Sequence, residues 1–165
     1  MNLWQRFEKK HCSLENGGLS FRFEKGLDPG LRRRYLDFAA WLRKNYVFPV
    51  HMHVYILDQE KVILSGGDSA YGSFRWYPNR TPRIKIPSKI EQGVLEKNTK
   101  DEAYELVLSS LVHELTHYFQ WVLDLEQSDA VSERQANYFR FRIIDRFNAA
   151  QECPNPPHNT EDGSE

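Results

Sequence analysis

The chain has 165 residues, 40% hydrophobic and 13% aromatic, enough for one ordinary domain with a real core. Its formal net charge of −1 excludes a global field that would draw the whole molecule to DNA or an anionic membrane, and no apolar run reaches the roughly 18 residues that span a bilayer. The start, Met1-Asn2-Leu3-Trp4-Gln5-Arg6, lacks the apolar stretch of a signal peptide. The protein is therefore expected to be cytoplasmic, with Cys12 and Cys153 as free thiols.

Leu19 to Phe23 alternates and reads as a strand, with Gly17-Gly18 as its turn. Asp28-Pro29 pairs an N-cap with proline at the first helical position, and Leu31, Tyr35, Phe38, Leu42 and Tyr46 continue one apolar helix face. Val50 to Leu57 is rich in β-branched residues, with Val50, Met52, Val54 and Ile56 on one side. Lys61 to Leu64 and Tyr71 to Tyr77 read as further strands. Arg83-Ile84-Lys85-Ile86, bracketed by Pro82 and Pro87, reads as an edge strand because proline interrupts pairing. Thr99-Lys100-Asp101-Glu102 is a capping box that opens a long helix, and Ser128-Asp129 opens a last helix to about Asn148. Residues 1–148 thus form a single α+β domain, and 149–165, with Cys153-Pro154-Asn155-Pro156-Pro157 and an acidic end, form a flexible polar tail.

His113-Glu114-Leu115-Thr116-His117 is an HExxH on the long helix. Four residues of helix turn through about 400°, so both imidazoles stand on one face, a turn apart, and can converge on one ion. Glu114 follows the first histidine and can reach an ion-bound water without displacing a ligand. A random chain of this composition would contain the motif only about once in fifty, which favours a site over an accident. A catalytic zinc needs a third protein ligand, and no histidine follows within a short loop. Glu133 lies early in the next helix, which a short connection folds back antiparallel, and Asn137 lies one turn further along the same face, suited to hold a ligating imidazole by its second nitrogen.

His113 to His117 together with Glu133-Arg134-Gln135-Ala136-Asn137 resembles the gluzincin pattern of HExxH plus a downstream glutamate helix, and in size the small ImmA/IrrE-type and minigluzincin peptidases. The resemblance implies a zincin-like fold with one zinc held by His113, His117 and Glu133, Glu114 as general base and Asn137 behind a ligand. It implies a metallopeptidase, an endopeptidase rather than an exopeptidase, whose edge strand Arg83, Ile84, Lys85, Ile86 lies over the metal and pairs with an extended peptide or protein substrate. Larger gluzincins add a later histidine or tyrosine for the oxyanion, for which Tyr138 and His158 are the late candidates here.

Two other functions compete. An SprT-like protease acting on DNA-associated proteins would also place a strand before HExxH, but would use a histidine as third ligand. A non-catalytic regulatory zincin module would have no use for Glu114. His51 and His53 share one side of a strand, where they could chelate an ion or simply face solvent. The mixture of Phe74-Arg75-Trp76-Tyr77, Arg80, Arg83 and Lys85 suits a nucleic-acid platform, though a substrate groove would need similar aromatics and is the favoured reading.

Overall fold

Asp28 caps the first helix as its sequence demands: its carboxylate accepts from the N–H groups of Gly30 and Leu31, with Pro29 at the first helical position. The structure, a computed structural model, describes residues 1–7, 17–64 and 66–153, so Cys12, His158 and the chain beyond Cys153 lie outside the described residues. In chain order the elements are a 3-10 turn at Leu3–Gln5, then β1 (Leu19–Phe23), α1 (Pro29–Asn45), β2 (Met52–Leu57), β3 (Val62–Ile63) and β4 (Ser69–Ala70). They continue with β5 (Ser73–Tyr77), β6 (Arg80–Pro87), α2 (Gln92–Lys97), α3 (Lys100–Val122) and α4 (Asp129–Glu152).

The fold is α+β: a four-stranded mixed sheet followed by two long packed helices. Strand order is β1-β2-β6-β5, with β1, β2 and β6 parallel and β5 antiparallel to β6. Strand alternation turns Met52, Val54, Ile56, Ile84 and Ile86 to one face, where all five are fully buried under α1 and α3. The short β3–β4 hairpin forms its own two-stranded sheet.

The expected edge strand is where the sequence reading fails. Arg83 to Lys85 pairs on both sides, with β2 through His53↔Arg83 and Val54↔Ile84 and with β5 through Phe74↔Ile84 and Ser73↔Lys85, and Ile86 pairs with β2 at Ile56. Its main-chain groups are therefore spent within the sheet and cannot pair with a substrate. The prolines mislead because of their positions. Pro82 precedes the first residue paired to β2 and falls where the register to β5 shifts, a bulge that needs no proline N–H, while Pro87 ends the strand. The true edge beside α3 is β5.

Two further boundaries differ. The strand expected over Tyr71 to Tyr77 begins only at Ser73, as β5, with Tyr71-Gly72 separating it from the two-residue β4. The last helix runs past Asn148 to Glu152, so the start of the expected tail is helical: Ala149, Ala150, Gln151 and Glu152 are good helix formers, and the helix stops only where Pro154 approaches.

Candidate metal centre

Capping fixes where α3 begins, and burial fixes its rotation. The Thr99 hydroxyl accepts from Glu102 N–H while the Glu102 carboxylate accepts from Thr99 N–H. Leu108, Leu111, Val112, Leu115 and Phe119 then face the core with no measurable exposure. Thr116, also buried, bonds back to Val112 O and accepts from Trp4 Nε1 at 3.2 Å, which ties the N-terminal 3-10 turn beneath the motif. With that face committed, His113, Glu114 and His117 turn toward the groove below β5.

The connection between α3 and α4 reverses at Asp124, whose φ of 51° is left-handed and closes the helix end with bonds from Asp124 N to Trp121 O and Leu125 N to Gln120 O. The two helices are antiparallel: partners climb along α4 as they descend α3, from Gln120–Ser132 through His113–Asn137 and Ser109–Arg140 to Glu105–Asn148. This register brings Glu133 to the histidines. Its carboxylate oxygens lie 3.2 Å from His113 Nε2 and 3.1 Å from His117 Nε2, and the two Nε2 atoms are 3.2 Å apart. An ion about 2.0–2.1 Å from each of three tetrahedral ligands would space them about 3.3 Å apart. The triangle fits.

The hydrogen bonds behind the histidines decide their chemistry. Gln120 is buried, and its Nε2 donates to Ser132 O and Gln135 Oε1, so its Oε1 is the atom left to accept from His117 Nδ1 at 2.8 Å. Asn137 Oδ1 does the same for His113 Nδ1 at 3.1 Å. With both protons held on Nδ1, both Nε2 atoms present lone pairs. Burial first, and then the neighbouring charge of His117, lower the His113 pKa and favour its neutral form. Two lone pairs and a carboxylate thus face one another at contact distance. That arrangement is repulsive unless a cation sits among them, and His113, His117 and Glu133 are a group that can hold a metal ion.

Glu114 stands beside this cluster. Burial, followed by the charge of Glu133, pushes its carboxyl up to about 7, against the opposing pull of Arg140 and of the Phe74 backbone N–H. Gly72 leaves room for it: a Cβ there would lie 2.9 Å from Glu114 Oε1 and 3.2 Å from Ile86 Cδ1. The groove holds about 700 Å³ and runs between β5 (Ser73 to Trp76) and the facing His113, Glu114, His117 and Glu133, with Trp76 stacked on Trp121 at one wall.

Of the residues expected from sequence, His113, His117, Glu133, Glu114 and Asn137 come together here. Ile84 and Ile86 are buried in the core, Arg83 and Lys85 lie on the opposite sheet face, and Tyr138 is exposed under the Arg142 guanidinium, outside the groove. Sequence reasoning missed Gln120, Gly72 and Arg140, which lines a small side pocket with Gly72, His113 and Glu114. Gln120 had a signal, a polar residue three after His117 in an otherwise apolar stretch. Comparisons with known protein families, with curated proteins and with solved structures find no match.

Proposed function

We propose that this protein is a zinc-dependent metallopeptidase of zincin-like fold that cleaves an extended peptide lying along β5. The observation that carries the reading is the meeting of two imidazoles, each held at Nδ1 by an amide oxygen, and the Glu133 carboxylate, each contact 3.1–3.2 Å, beside the buried Glu114 carboxyl. This N2O donor set suits zinc with an open fourth position. His113, His117 and Glu133 would hold the ion, which would supply Lewis acidity to a water and to the scissile carbonyl. Glu114, which lines the groove beside the cluster, would take the water's proton and pass it to the leaving amine, general-base and then general-acid roles. The outer edge of β5 offers main-chain N–H and C=O groups to the peptide, the role expected of Arg83 to Ile86 from sequence. Strand pairing needs no chain terminus, which favours an endopeptidase.

A carboxylate as third ligand does not favour an SprT-like reading. A non-catalytic module has no reason to bury Glu114 next to the cluster. The test is hydrolysis of a quenched fluorescent peptide library by purified protein. Activity should vanish with a chelator and return with zinc, and Glu114→Gln should retain zinc while losing at least about 100-fold in kcat. A Glu114→Gln variant as fast as wild type would refute the mechanism.

A further inference from the structure

The sheet face turned away from α1 and α3 has its own chemistry. Two rows cross it in register: Ser20–His53–Arg83–Arg75, and Arg22–Tyr55–Lys85–Ser73. Along β2 the rings of His51, His53 and Tyr55 form a continuous stripe, with centroids 4.6 Å and then 6.4 Å apart. Arg22 stands on one side of that stripe and Arg83 and Lys85 on the other, with Arg75 one strand beyond. Tyr77 lies on the same face, with the Arg80 and Arg83 guanidinium groups 5.8 and 5.6 Å from its ring.

The four strands contain no aspartate or glutamate, although the chain as a whole carries a formal charge of −1. Among the described residues no ion pair neutralises Arg22, Arg75, Arg80, Arg83 or Lys85. The positive field is felt by His53, whose protonation is disfavoured by burial and then by His51, Arg22 and Arg83. Its buried Nδ1 has no hydrogen-bond partner.

We infer that this face is a binding surface for single-stranded nucleic acid. Unpaired cations on both sides of a stripe match a phosphate backbone, and alternate strand positions, about 6.8 Å apart, repeat the cations along the stripe. The planar groups between them supply stacking surfaces, which an acidic peptide would not use and a base does. A duplex keeps its bases stacked on each other and cannot reach the stripe. The rows lie on the other face of the sheet from Phe74 and Trp76, Ser73 and Arg75 on the edge strand β5 bordering both, and the inference does not depend on the peptidase reading.

The experiment is fluorescence anisotropy of a labelled oligothymidylate of roughly twenty nucleotides with the full chain, at low and moderate salt. Binding should weaken as salt rises, fall at least about tenfold in the charge-reversed Arg22→Glu/Arg83→Glu protein, and fall about fivefold or more in Tyr55→Ala. Circular dichroism and zinc content report folding of each variant, and Lys85→Glu, at an exposed position, is the second charge reversal should the double variant fail to fold. Unlabelled polyglutamate of equal charge should compete poorly, and duplex DNA should bind more weakly than the single strand. The inference is overturned by absence of binding at low salt, by charge-reversed protein that binds as wild type, by an unaffected Tyr55→Ala, or by polyglutamate or duplex that binds as tightly as the oligonucleotide.

Discussion

Gln120 shows how much of the candidate metal centre lies behind the residues that would ligate the ion. The amide fixes the tautomer of His117 only because its own N–H groups are committed to α4 at Ser132 and Gln135. Gln120→Ala should keep α3 but weaken zinc binding about 10–100-fold, measured by competition with a chromogenic chelator. Unchanged affinity would mean the imidazole is held by packing alone. Glu114 gives a complementary prediction in the metal-free protein. Its carboxyl is raised from an ordinary 4.5 to about 7, so its contribution to stability is intact below about pH 4.5 and is lost as the pH rises through 7. The buried charge then costs on the order of 3 kcal/mol. Glu114→Gln should therefore be more stable than wild type in urea at pH 8 with chelator present, and the difference should shrink toward pH 4.5. Equal stability at both pH values would show that the carboxylate is not penalised by burial. His113, His117 and Glu114 were legible because a five-residue motif on a helix fixes its own geometry. Gly72 was not, and Gln120 showed only as a polar residue in an apolar stretch, because their roles depend on what the fold brings opposite them: Ser132 and Gln135 of α4 for Gln120, and Glu114 of α3 with Ile86 of β6 for Gly72.

At the scale of elements, local chemistry and long-range pairing differ in what a sequence reveals. The Thr99–Glu102 box and the Asp28–Pro29 start are complete within four residues, and both helices begin where those signals stand. The place of β6 is a matter of which strands flank it, and its proline brackets concealed a central strand because one of them sits in a bulge. With β6 central, the proposed substrate-pairing role falls to β5, and Gly72, just ahead of it, leaves room for the Glu114 carboxyl. A Cβ there would displace the Glu114 carboxylate and press on Ile86 Cδ1. Gly72→Ala should fold and hold zinc, yet lose about tenfold or more in kcat because the carboxyl is displaced from its position. Wild-type turnover in this variant would show that the glycine serves only the turn.

Across the whole molecule, one sheet separates two surfaces. Its apolar face seats α1 and α3, the second of which carries His113 and His117 to a groove bordered by β5, and its other face carries the cations and rings. No helix among the described residues is long and apolar enough to cross a membrane. The account depends on α4 returning antiparallel so that Glu133 closes the triangle with His113 and His117. The direct measurement is zinc content and affinity of the purified wild-type and Glu133→Ala proteins, side by side. Wild type should hold about one zinc per chain, and Glu133→Ala should bind at least about 100-fold more weakly with its helical signal unchanged. A Glu133→Ala protein that holds one zinc as tightly as wild type would contradict the site.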